Sequence, residues 1–178
     1  MIVYFDTSAL LPIIIEEPAS QSAARLWDVA DRVVSSRLIY PEGRAALAMA
    51  SRMGRIEESE VHSAVDDLEA LFEQLDLVDA TERPSRNAGG LAEQFGLRGY
   101  DAVHLASVQQ VADSELVLAA SDRKLVAAAR ALGLATANLV RSTPSVAPGS
   151  VSGRHAWGVD RPGRETKTRA DDHVPPSR

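Results

Sequence analysis

Four carboxylates carry the chemistry this chain can do. Asp6 closes the apolar run Met1-Ile2-Val3-Tyr4-Phe5, and Asp122 follows a second such run, Leu116-Val117-Leu118-Ala119-Ala120. Both runs read as buried strands, which places both aspartates at strand carboxyl ends, the edge where α/β sheets bind ligands. Asp101 and Glu42 fall in the first turns of helical stretches. Carboxylates gathered at one mouth repel each other unless a positive charge separates them, and a divalent cation is the economical choice. Magnesium and manganese accept oxygen ligands and retain several waters, so two or three carboxylates suffice for each ion. Such a site suits in-line displacement at phosphorus. Without metal, the group is expected to titrate as a coupled set with at least one raised pKa.

Taken singly, each acid has an ordinary explanation. Asp6, Asp101 and Asp122 read as helix N-caps, and Glu42 as a complement to a helix dipole. A cap has no need of a strand end, whereas a shared cation does, and the joint placement favours the cation. His104 follows Asp101 by one turn among apolar neighbours and reads as packed core. Arg44, Arg98 and Arg123 flank three of the acids and are candidate phosphate contacts, although arginines beside carboxylates are commonly solvated partners.

The elements that must position these groups alternate. A strand over Met1–Phe5 leads into a short helix after Asp6, and Glu17-Pro18 separates it from a second helix through Trp27. Arg32-Val33-Val34-Ser35 reads as a strand, and about Leu38–Met53 as a helix ended by Gly54. Between Ile56 and Leu75 the apolar positions Val61, Val65, Leu68, Phe72 and Leu75 repeat at steps of four and three, an amphipathic helix. Leu75–Val78 is a third strand, Thr81–Phe95 a helix closed by Gly96, and the helix from Asp101 leads to the strand before Asp122. A helix ended by Gly133 and a strand over Ala135–Val140 complete the pattern. Strands alternating with helices predict a three-layer α/β/α sandwich with a mostly parallel central sheet.

The chain has 178 residues, 45% of them hydrophobic, enough for one domain with a full core. It contains no cysteine, which excludes disulfides, thiolate catalysis and cysteine-ligated metals. No apolar stretch approaches the roughly 20 residues of a membrane helix, and the N-terminus lacks a signal-peptide pattern, so a cytoplasmic protein is expected. Residues 141–178 hold seven Lys and Arg against four acids, a balance of +3 that leaves residues 1–140 at −9 within a total of −6. A domain so acidic is no general electrostatic binder of nucleic acid. The 141–178 segment, rich in Pro, Ser, Gly and Arg, is expected to be a disordered basic tail.

The stretch Asp6-Thr7-Ser8-Ala9 after the first strand, Glu42 near Ala45-Ala46-Leu47, Asp101-Ala102-Val103-His104-Leu105-Ala106, and Ser121-Asp122-Arg123-Lys124-Leu125 together resemble the PIN domain over residues 1–140. More narrowly, the chain is similar to the VapC-type toxins of toxin-antitoxin pairs. The resemblance implies a Mg²⁺- or Mn²⁺-dependent endoribonuclease, commonly a homodimer, that is held inactive by a cognate antitoxin. It implies that Asp6, Glu42, Asp101 and Asp122 hold the metal and carry catalysis, with Ser8 orienting a ligand or water. Where the family often has Thr or Ser two residues before the last Asp, this chain has Ala120, with Ser121 adjacent. One alternative is a PIN-like domain that binds metal or RNA without cleaving. Another is a metal-dependent phosphatase of the haloacid-dehalogenase kind, which wants an Asp at position 8 and a pocket lysine, for which Lys124 is the candidate.

Overall fold

The alternation of strand residues decides the layers. In β1 (Ile2–Phe5), Val3 and Phe5 enter one apolar core while Ile2 and Tyr4 enter another. The same division recurs in β2 (Arg32–Ser36), where Val33 and Val34 part company, and in β4 (Leu116–Ala120), where Ala119 opposes Leu118 and Ala120. A strand buried on both faces needs helices on both, and its side chains alternate between them with period two.

A computed structural model describes residues 1–111 and 115–139; the basic tail expected over 141–178 and Val140 of the expected last strand lie outside the described residues. β3 (Asp76–Val78) and β5 (Ala135–Asn138) complete a five-stranded sheet of order β3-β2-β1-β4-β5. Every pairing is parallel, with Tyr4 opposite Val34 on one side and Leu118 on the other. The expected three-layer α/β/α sandwich is therefore borne out, with a sheet that is wholly parallel.

The chain builds outward from β1 to β2 and β3, then returns to the far side of β1 for β4 and β5. Right-handed crossovers then require the helices of the two halves to lie on opposite faces. The helices α1 (Thr7–Ile14), α2 (Ser20–Val29), α3 (Ile39–Arg52) and α4 (Val61–Phe72) supply Leu10, Trp27, Leu47 and Leu68 to the core of Val3 and Phe5. The helices α5 (Glu82–Phe95), α6 (Gly99–Val111) and α7 (Arg123–Ala131) supply Leu91, Leu105 and Leu125 to the core of Tyr4 and Leu118. The reversal of direction makes the carboxyl ends of β1 and β4 the switch point of the sheet, the place where open α/β sheets bind their ligands.

One helix is shorter than its periodicity predicts. The helical repeat from Ile56 begins only at Val61, because Glu57 and Glu60 form a reciprocal capping box over a 3₁₀ turn at Glu58–Glu60. Left-handed glycines close the others where expected, Gly96 with φ 62° after α5 and Gly133 with φ 77° after α7.

Candidate active site

Asp6 leaves the end of β1 at the switch point. Its backbone N–H donates to Ala119 O of β4 at 3.1 Å, and its side chain caps α1 by accepting from Ala9 N at 3.1 Å. Ser8 donates its hydroxyl to Asp6, 2.8 Å from Oδ1 and 3.1 Å from Oδ2, while accepting the backbone N–H of Ser121 at 2.8 Å. Ser121 Oγ in turn donates to Ser8 O at 3.2 Å. Ser8 thus ties the strand end of β4 to the carboxylate of β1. Asp6 is 4% exposed. Burial, the largest influence, pushes its carboxyl up to about 6, against the lowering effects of His104, Ser8 and Ala9.

Glu42 projects from the first turn of α3, which begins just past the end of β2. Burial works to raise its pKa, but the hydrogen bond from His104, together with that from Thr7, outweighs it and holds the carboxyl below its ordinary range. Thr7 Oγ1 donates to Glu42 Oε2 at 2.6 Å, and His104 Nε2 lies 2.8 Å from the same oxygen. Asp101 lies in the first turn of α6 and Asp122 caps α7, its Oδ1 accepting from Lys124 N at 2.8 Å and Leu125 N at 2.9 Å. Partial burial raises the Asp101 carboxyl, and the negative charge of Asp122 raises it further, with Arg98 and His104 opposing. The structure therefore links Asp6 to Ser8, Glu42 to His104, and Asp101 to Asp122, all three groups at the carboxyl end of the sheet.

The donor set fits a hard divalent cation. All four acids offer oxygen, and among the described residues none forms a salt bridge with Lys or Arg. No group of three or more His, Asp or Glu side chains among the described residues is drawn together tightly enough to cage an ion unaided. Magnesium tolerates this, because it binds through one or two carboxylates and keeps its remaining waters. A separate polar hollow between α5 and α6, lined by Arg83, Asn87, Gln109 and Gln110 among others, includes none of the four acids.

The sequence profile of the PIN domain family matches residues 3–131. The chain belongs to the PIN domain family. Ribonuclease VapC45 of Mycobacterium tuberculosis (strain CDC 1551 / Oshkosh) and ribonuclease VapC49 of strain ATCC 25618 / H37Rv are each 46% identical over 132 residues, spanning 74% of this chain and 92% of theirs. Among solved structures, FitAcB from Neisseria gonorrhoeae superposes with a TM-score of 0.59 at 17% identity, covering 77% of this chain and 97% of that one. The Mycobacterium tuberculosis sarcin-ricin loop cleaving toxin VapC20 gives a TM-score of 0.56 at 18% identity, covering 71% and 94%. These two share the fold. The expected PIN domain is borne out, and the phosphatase alternative falls with it.

Two residues of this PIN domain stand differently from their sequence expectations. His104 is buried, as expected for core, yet both ring nitrogens are engaged: Nε2 with Glu42 and Nδ1 with the Tyr4 hydroxyl at 2.9 Å. Arg44, a candidate phosphate contact, is committed to α3 and α4 instead, donating to Tyr40 Oη at 2.8 Å while Tyr40 donates to Glu69. Arg98 and Arg123 remain exposed beside Asp101 and Asp122. Thr7 stands in the first motif of the sequence, which assigns it no role. The available signal was its place next to Asp6, which carries its hydroxyl to the mouth of the sheet. No helix among the described residues is long and apolar enough to cross a membrane.

Proposed function

We propose that residues 1–140 form a VapC-type toxin, a Mg²⁺- or Mn²⁺-dependent endoribonuclease that cleaves cellular RNA in the cytoplasm, acts as a homodimer and is neutralised by a cognate antitoxin. The observation that supports this reading is that Asp6 and Asp122 cap the helices that follow β1 and β4, while Glu42 and Asp101 lie in the first turns of α3 and α6, in a chain of the PIN domain family. Support for the RNA substrate comes from the relatives named as ribonucleases, and for the antitoxin from neighbours such as the toxin-antitoxin complex of Klebsiella pneumoniae.

In this reading Asp6, Glu42, Asp101 and Asp122 hold the ion, and Ser8 fixes the orientation of Asp6. Bound there, Mg²⁺ or Mn²⁺ supplies Lewis acidity toward the phosphodiester and makes water acidic enough to attack it. The residues themselves do three things. Burial at Asp6, and burial with the neighbouring charge of Asp122 at Asp101, disfavour the two anions and raise both carboxyls, and a cation held between them would relieve that cost. The capping bonds of Asp122 consume one oxygen and leave the other for a ligand. Arg98 and Arg123 receive phosphate beside the acids, which an otherwise acidic domain needs at the point of contact. Tyr100, 62% exposed and adjacent to Asp101, offers a face for an unstacked base, as single-stranded RNA requires.

Antitoxin-free protein incubated with a mixed pool of single-stranded and structured RNA, in magnesium, manganese or chelator and beside Asp6→Asn, tests the proposal. Cleavage that needs the metal and disappears in the variant is expected. A folded, metal-saturated protein that cuts nothing in the pool returns the assignment to a non-catalytic metal- or RNA-binding domain.

A further inference from the structure

The buried polar residues that the reaction does not use converge on one place. Tyr4 is 0% exposed and His104 is 2% exposed, in a stretch of α6 whose buried neighbours are Leu105, Ala106 and Val108. An aliphatic side chain would pack there without the cost of desolvating an imidazole. The imidazole instead spans the end of the sheet, reaching from β1 to α3. Its ring stands edge-on to that of Tyr4, at 5.8 Å between centroids and 82° between planes. Every buried side-chain nitrogen and oxygen among the described residues has a hydrogen-bond partner.

The direction of these bonds follows from the groups. A carboxylate only accepts whereas a phenol hydroxyl can donate, so in a neutral ring placed between Glu42 and Tyr4 it is Tyr4 that donates, to His104 Nδ1. An accepting Nδ1 puts the ring proton on Nε2, which donates to Glu42 Oε2. Thr7 donates to the same oxygen. The terminal torsion of a glutamate is broad and roughly two-fold, so a carboxylate held by one bond still turns. Two donors from different elements arrest it, and Oε1 is left without a partner among the described residues.

We propose that Tyr4 and His104 are positioning residues: Tyr4 fixes the tautomer of His104, and His104 with Thr7 locks Glu42 through Oε2, so that Oε1 is the oxygen Glu42 would offer to a cation. The inference rests on the ribonuclease reading above and adds to it residues that touch neither metal nor RNA. Groups that orient a ligand from behind commonly change metal affinity or activity by about 10–100-fold when lost.

The test compares His104→Gln with His104→Asn in the full chain. The glutamine amide reaches the place of Nε2 and can donate to Glu42, whereas the asparagine amide stops at the place of Nδ1. Both are polar and of similar bulk, so a merely structural role predicts the same result for each. Expected for His104→Asn is a loss of about 10–100-fold in Mn²⁺ affinity by calorimetry and in kcat on an oligoribonucleotide cut by wild type, with KM unchanged. His104→Gln is expected to stay within about threefold of wild type in both, a difference at the small end of such effects. Metal-free protein gives an independent readout. Imidazole ¹⁵N NMR is expected to show one Nε2–H tautomer for His104 in wild type and a mixture in Tyr4→Phe. Equal behaviour of the Gln and Asn variants, or an unchanged tautomer in Tyr4→Phe, overturns the positioning role while leaving the ribonuclease intact. A folded wild type that neither binds Mn²⁺ nor cuts RNA overturns the ribonuclease reading, and this inference falls with it.

Discussion

Replacing Asp6 with Asn should stabilise the metal-free protein at neutral pH and do nothing for it in acid. The wild-type carboxyl is raised from an ordinary 3.8 to about 6, chiefly by burial. A raised folded-state pKa contributes stability that is complete below 3.8 and is lost as pH climbs through about 6. The interval is about 2 pH units, and at 1.36 kcal/mol per unit the loss comes to about 3 kcal/mol by pH 7. Asparagine does not titrate and caps a helix about as well as aspartate. Any fixed cost of the swap, such as a poorer contact with Ser8, is the same at every pH. The stability of Asp6→Asn relative to wild type should therefore rise by about 3 kcal/mol between about pH 4 and pH 7. Urea unfolding of both proteins in chelator, at unit steps from pH 4 to pH 8, reads this directly. Magnesium should then close the gap, because it binds the native carboxylate of wild type and stabilises that protein by mass action. A difference between the two proteins that stays flat from pH 4 to pH 8 refutes the reasoning.

Asp122 separates its two roles by variant. Asp122→Asn retains the accepting oxygen that caps α7 and should unfold within about 0.5 kcal/mol of wild type, whereas Asp122→Ala should lose about 1 kcal/mol; both should lose metal-dependent cleavage, and a fully active Asn variant removes Asp122 from the site. Ser8→Ala deprives the Ser121 N–H of its acceptor and should cost about 1–3 kcal/mol in urea unfolding. It also removes bonds that lower the Asp6 pKa, so the pH window of the first experiment should move upward. In Gly43→Ala the new Cβ would stand 3.0 Å from both terminal methyls of the buried Leu68, whose side chain must give by a few tenths of an ångström; a repacking cost of about 1–3 kcal/mol against the roughly 1 kcal/mol that alanine gains in a helix leaves an expected net loss of up to about 2 kcal/mol in urea unfolding. Because Glu42 is the neighbouring residue, calorimetry should register weaker Mn²⁺ binding as well.

How legible this molecule is in its sequence depends on whether a feature is local. The strands β1 and β4 stand out because an apolar run ends at an acid, and the helix ends at Gly96 and Gly133 because only glycine takes the left-handed turn at little cost. The acidic stretch before α4 misleads for a local reason too: Glu57 and Glu60 bond to the backbone and form a cap where the repeat continues the helix. The four acids are visible by their place after strands and at helix starts. The cap readings of Asp6 and Asp122 were also right, since capping occupies an oxygen and does not exhaust the carboxylate. What stays hidden is the support. Tyr4 and His104 are 100 residues apart, and His104 and Glu42 are 62 apart. Nothing near His104 announces either partner, and its apolar neighbours argue for burial, which is true but incomplete. Two faint signals point the other way: His104 lies at i+3 from Asp101 on one helix face, and Tyr4 lies at i−2 from Asp6 on one strand face.

The order β3-β2-β1-β4-β5 has a consequence during synthesis. β1 waits at the centre of the sheet with one neighbour, β2, until β4 arrives more than 100 residues later to pair Ile2 with Leu116. A chain still emerging from the ribosome can complete the half that carries Asp6 and Glu42, but Asp122 and the N–H of Ser121 that anchors Ser8 come only with β4 and the residues just beyond it. Pairings so distant in sequence form late. Under the proposed function, such a nuclease would stay chemically silent as a nascent chain, and its translation would run nearly to the end of the domain before there was anything for an inhibitor to restrain.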